Sequence, residues 1–157
     1  MIAPGTKSSI ERKDGDFFER KTMIVAVDFD GTVVEHQFPA IGPDVPFAVT
    51  CLKKLVSDGH KIILWTMRSG GYLDAAVKWY DDKGIPLYGV NMNPDQNWTT
   101  SPKAYANVYV DDAAVGCPLV WQHGKKAFVD WCAVMDLIHL DLIQCYDAGP
   151  QGGHKKQ

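Results

Sequence analysis

Val25-Ala26-Val27-Asp28-Phe29-Asp30-Gly31-Thr32 decides the fold. The apolar, β-branched start reads as a buried strand. That strand discharges two carboxylates separated by one residue, and Gly31 follows where the chain must turn sharply. Two carboxylates at the mouth of a strand lose water and repel each other, which is costly unless a cation joins them or one keeps a proton. An all-oxygen site of this kind favours Mg²⁺. Asp and Gly are also ordinary turn residues, so the remainder of the chain has to discriminate.

The 157 residues suit one domain with a full hydrophobic core. Hydrophobic residues make up 46% and charged residues 22%, the balance of a globular protein in water. The formal net charge of −3 and the lack of a basic stripe argue against a strong nucleic-acid-binding surface. None of Cys51, Cys117, Cys132 and Cys145 forms a C-x-x-C pair, which argues against zinc. Cys51 and Cys132 fall in apolar helical patterns and read as small core residues. The apolar runs are strand-sized, so neither a membrane span nor a signal peptide is expected. Reduced cysteines in a cytoplasm are the simplest account.

Working outward, residues 1–22 show no periodic apolar face and read as a flexible N-terminal extension. Residues 33–45, with Pro39, Gly42 and Pro43, read as a short flap. Phe47, Val49, Leu52, Leu55 and Val56 recur at helical spacing over Pro46–Ser57, and Gly59 stops that helix. Lys61–Trp65 is a second buried strand, followed by the loop Thr66–Gly71. Tyr72–Lys83 is a second helix, with Leu73, Ala76, Val77 and Tyr80 on one face. Leu87–Val90 is a third strand, Asn91–Pro102 a polar loop, and Ala106–Val110 a fourth strand ending in Asp111-Asp112. Asp130 can cap a last helix through about Ile143. Its Trp131, Met135, Ile138 and Leu142 form the core face. The domain therefore spans 23–146, with 147–157 as a flexible tail. Strands alternating with helices imply an α/β fold: a three-layer Rossmann-like parallel sheet with helices on both faces. Ligands bind such sheets beyond the carboxyl ends of the strands, where the polar clusters singled out in this chain are expected.

Those clusters are Asp28 with Asp30, Thr66, Lys103, and Asp111 with Asp112. The Thr66 hydroxyl and free backbone N–H groups beside it can hold a phosphate oxygen. Lys103, just before strand four, can neutralise the same phosphate. Asp111 and Asp112 add oxygen ligands for a Mg²⁺ shell. Arg68 either touches the phosphorylated substrate or only covers the sheet end. His36, in the flap, could reach a leaving group, although a solvent-exposed histidine is the simpler reading.

With these residues in this order, the chain resembles the haloacid dehalogenase superfamily of phosphohydrolases. Its four motifs run D-x-D-x-T, then Ser/Thr, then Lys/Arg, then an acidic pair. Here they correspond to Asp28-Phe29-Asp30-Gly31-Thr32, Thr66, Lys103 and Asp111-Asp112. The resemblance covers about residues 23–143. It implies that Asp28 attacks phosphorus and carries an aspartyl-phosphate. It implies that Asp30 is the acid/base and meets Mg²⁺ through its backbone carbonyl. Asp28, Asp30, Asp111 and Asp112 would hold the ion, and Thr66 and Lys103 the phosphate, with Arg68 a further phosphate-binding candidate from its own place after strand two.

Members of that family usually select substrates with an inserted cap domain, and neither 33–45 nor 91–102 is long enough to be one. The resemblance then implies a capless, open-mouthed enzyme. Its substrate would be large, even macromolecular, or its site would be closed by a neighbouring subunit of a homo-oligomer. Two alternatives stand beside it. One is a decayed family member that keeps its residues for folding. The other is a signalling module that binds Mg²⁺ and phosphate. Receiver domains use similar residues, but they place the acidic pair after strand one and the acceptor Asp after strand three. Here strand three ends at Asn91 and the acidic pair comes last.

Overall fold

Among the described residues, a parallel sheet with one helical layer organises the molecule. The structure is a computed structural model that describes residues 22–147, with the side chains of 22–139. The expected extension over 1–22 therefore falls almost wholly outside the described residues, as do the tail beyond 147 and the side chain of Leu142.

Chain order is β1 (Ile24–Val27), α1 (Ala48–Ser57), β2 (Lys61–Leu64), α2 (Gly70–Asp82), β3 (Gly89–Val90), β4 (Val108–Val110), β5 (Leu119–Val120), β6 (Phe128–Val129) and α3 (Trp131–Asp147). The main sheet runs β3-β2-β1-β4, with every pair parallel. This is an α/β arrangement consistent with a Rossmann-like fold. All four strands point their carboxyl ends the same way, so the residues after β1, β2 and β4 gather on one rim. The short antiparallel pair β5-β6 was not foreseen. Two-residue strands carry no readable alternation.

Alternation along the strands divides the apolar residues between the two faces. Val25, Val27, Ile62, Leu64 and Val110 face one way. They share a core with Leu52 and Leu55 of α1, Ala76, Trp79 and Tyr80 of α2, and Trp131, Val134, Met135 and Ile138 of α3. Truncating one of these large aliphatic side chains would cost about 2–5 kcal/mol. The opposite face carries Ala26, Ile63 and Ala106, with Ile24, Trp65 and Tyr88 against them. No helix packs on that face among the described residues, so the expected second helical layer is not found there. Because β3 and β4 lie at opposite edges, residues 91–107 must cross the width of the sheet. They do so as irregular chain: Asn93 is buried and donates to the Tyr105 carbonyl, and the Tyr88 hydroxyl donates to Asp95. Polar side chains there satisfy backbone groups that a helix would have satisfied internally.

Other local expectations also change. Phe47 is exposed, with positive φ, so it precedes α1 rather than joining its buried face. Cys132 is exposed, one position beyond buried Trp131. Asp130 does cap α3, its carboxylate accepting the Ala133 N–H at 3.1 Å. Among the described residues no helix is long and apolar enough to cross a membrane.

Candidate functional site

The register of β1 on β4 creates the carboxylate cluster. Val27 pairs with Val110, and the Asp28 N–H continues the ladder onto the Val110 carbonyl at 2.9 Å. Asp28 therefore leaves the sheet beside Asp111 and Asp112. One carboxylate oxygen from each of Asp28, Asp111 and Asp112 lies within 4.8 Å of the others. Three converging oxygens fit a hard dication such as Mg²⁺.

Thr32 ties this cluster together. It is fully buried. Its hydroxyl donates to Asp28 Oδ2 at 3.3 Å and accepts the Asp112 N–H at 3.3 Å. From α3, Trp131 Nε1 donates to the Thr32 carbonyl at 2.7 Å, so the core of the domain holds the link. Burial pushes the Asp28 carboxyl up to about 7. The charges of Asp111 and Asp112 add to that push, against hydrogen bonds from the Phe29 backbone and Thr32. Tyr80 is buried nearby with no hydrogen-bond partner for its hydroxyl among the described residues. Its ionisation is opposed first by burial and then by the charge of Asp28.

Asp30 is placed differently. Arg68 Nε donates to its Oδ2 and Nη2 to its Oδ1, both at 2.7 Å. This is a bidentate fork. The same guanidinium donates to the flap carbonyls of Pro39 at 3.1 Å and Ala40 at 2.9 Å. It is buried, with the rings of Phe29 and Phe38 at 5.0 and 5.2 Å from it. Four of its five N–H donors are thus engaged inside the protein. The Asp30 carboxylate faces Arg68 and is not one of the three that converge.

Thr66 follows β2 on the same rim. Its hydroxyl accepts the Arg68 N–H at 3.2 Å, and its own N–H goes to Asn91 Oδ1 at 2.8 Å. The hydroxyl proton therefore remains available to donate. Asn91, in the left-handed region with φ 51°, bridges the ends of β2 and β3. Lys103 lies on the crossing segment with its amine 5.3 Å from the Tyr109 ring centroid, beside a groove it lines with Trp98 and Tyr105. Among the described residues it forms no ion pair with the clustered carboxylates. His36 is bound: its Nε2 lies 2.8 Å from Asp112 Oδ2.

The sequence reading gave no role to Thr32, Asn91 or Tyr80 and preferred a solvent-exposed His36. Thr32 was visible as the last motif residue. Asn91 had only its place after a strand as a signal. The contacts of His36 and Tyr80 arise from tertiary packing that no local pattern encodes.

No protein-family model matches the chain, and no curated protein is similar to it. It is similar to a conserved protein from Bacteroides thetaiotaomicron whose structure is solved, at 37% identity and a TM-score of 0.65. The match covers 77% of this chain and 93% of that one.

Proposed function

We propose that this chain, which belongs to the same family as the conserved Bacteroides thetaiotaomicron protein, is a Mg²⁺-dependent phosphohydrolase of the haloacid dehalogenase type that works without a cap domain. The observation that carries this reading is the convergence of Asp28, Asp111 and Asp112 within 4.8 Å at a strand-end rim shared with Thr66.

Asp28, Asp111 and Asp112 would hold the ion, whose charge would keep Asp28 ionised and neutralise phosphate oxygens. Asp28 attacks phosphorus, forming the aspartyl-phosphate as the ester oxygen leaves. Thr32 aims the nucleophile by donating to Oδ2. The Thr66 hydroxyl and the remaining Arg68 N–H would donate to phosphate oxygens, and Lys103, whose amine lies over the Tyr109 ring, would have to leave that ring to join them. Asp30, once it has left Arg68 and taken up a proton from solvent, would protonate the leaving oxygen and then take a proton from the water that releases phosphate. Both its oxygens accept from Arg68, so proton transfer requires that fork to open. The same fork favours a second reading, a site that binds Mg²⁺ and phosphate and accepts a phosphoryl group without releasing it.

A panel of phosphomonoesters, nucleotides and phosphopeptides, assayed with Mg²⁺ and with chelator, tests the proposal. Turnover that vanishes with chelator is expected. Turnover that survives exhaustive chelation excludes the metal, and a single phosphorylation without release identifies the second reading.

A further inference from the structure

His36 belongs to none of the four motifs, yet it contacts the carboxylate cluster. Its backbone is fixed locally. Val34 bridges to both Asp30 and Asp44, the Glu35 N–H donates to the Pro43 carbonyl at 2.8 Å, and the Glu35 carboxylate receives Lys125 Nζ at 2.9 Å. The ring then reaches Asp112 with Nε2 2.8 Å from Oδ2. An ionised carboxylate only accepts, so Nε2 carries the proton and donates. The ring is 25% exposed and the carboxylate 18%, so water competes weakly for the bond.

The approach is close enough to dictate Gly31. A Cβ at that position would lie 2.1 Å from His36 Nε2 and 2.6 Å from Asp112 Oδ2, and the backbone sits at φ +82°. Gly31 is thus required both by the turn and by the pair lying against it. Asp112 is held from two sides, its N–H by Thr32 and its Oδ2 by His36. Its other oxygen has no hydrogen-bond partner among the described residues.

We infer that His36 is a positioning residue for the cation. By engaging one oxygen of Asp112 it orients the other toward the Mg²⁺ site, and it couples the flap to ion occupancy. A partner that orients a metal ligand in this way is typically worth 10–100-fold in metal affinity. The inference rests on the phosphohydrolase reading only for the existence of the cation site.

Isothermal titration of the full chain with Mg²⁺ alone tests it. His36→Ala is expected to weaken Mg²⁺ binding by about 10–100-fold. His36→Gln, whose amide can still donate to Asp112, is expected to recover most of the loss. A histidine that only anchors the flap would lower the melting temperature in chelator and leave Mg²⁺ affinity unchanged. Melts in chelator show that each variant folds. If His36→Ala does not, His36→Leu takes its place, covering Gly31 without a donor. Unchanged affinity in the donor-free variant, or loss in His36→Gln equal to it, overturns the inference while leaving the cation site standing. Wild-type protein that binds no Mg²⁺ removes the cation site and the role of His36 with it.

Discussion

Asp28 places a carboxyl where burial disfavours its charge, and this gives it a measurable signature without substrate. Its unfolded reference is about 3.9, and burial in the fold pushes it up to about 7. The folded state therefore binds more protons than the unfolded state across that interval. Stability falls as pH rises from about 4 to about 7, then stays level. Asp28→Asn removes the ionisable group. In chelator it is expected to melt several degrees above wild type at pH 8 and close to it at pH 4, as scanning calorimetry would show. A lower melting temperature at pH 8 would contradict the electrostatic account. The same variant should lose turnover by at least ~10³. Tyr80 is a second residue-scale case. Its buried hydroxyl has no partner among the described residues, so Tyr80→Phe should be neutral or stabilising in chemical denaturation; a loss above about 1 kcal/mol would reveal a bond to that hydroxyl. At this scale much was legible. The carboxylates that converge were named by strand position alone, because strand register carries Asp28 beside Asp111 and Asp112. The Arg68–Asp30 fork was not legible, since it joins residues 38 positions apart through a side-chain geometry that periodicity does not encode.

Among the elements, the flap over residues 33–45 shows most clearly how a loop supports a rim. Arg68 pins its tip through the Pro39 and Ala40 carbonyls. Trp79 and Lys83 hold Asp44 at 2.9 and 2.5 Å, and His36 ties its first turn to Asp112. The flap is therefore a buttress for Asp30 and Asp112. Removing the guanidinium would leave a shielded carboxylate and two carbonyls without their donor. Arg68→Met is expected to cost about 3–5 kcal/mol and to open the flap to limited proteolysis between residues 33 and 45. Arg68→Lys should recover little, because a point charge cannot replace a planar fork. Unchanged proteolysis in Arg68→Met would show that the flap is held by its other contacts. The helices were legible because their apolar spacing is long and regular. Their ends shifted where packing overrode pattern: Trp79 is buried in α2 although the sequence reading left it off the core face.

At the scale of the whole molecule, the parallel sheet follows directly from the strand–helix alternation, whereas the second helical layer does not. The connection that crosses the sheet, residues 91–107, was legible only in part: 91–102 read as a polar loop, whereas Ala106 and Asn107 read as the start of the fourth strand, which begins at Val108. On the capless reading proposed above, the strand-end rim is open to substrate. Discrimination between substrates requires contacts that strengthen in the transition state, and such a rim offers few beyond the phosphate. Small sugar phosphates and nucleotides are therefore expected to be hydrolysed slowly and with little preference, as kcat/KM across a panel would show. High selectivity by a monomer for one small metabolite would mean that the flap or the crossing segment closes as a lid.

Whether Asp28 carries the phosphoryl group is read by acid-quenching a reaction with a reactive aryl phosphate and Mg²⁺, then mapping the adduct by peptide mass spectrometry. One phosphoryl group is expected on Asp28, absent in chelator and absent from Asp28→Asn, and accumulating in Asp30→Asn because release is stalled. Turnover that leaves no adduct in wild type or Asp30→Asn, and that persists in Asp28→Asn, would contradict that role.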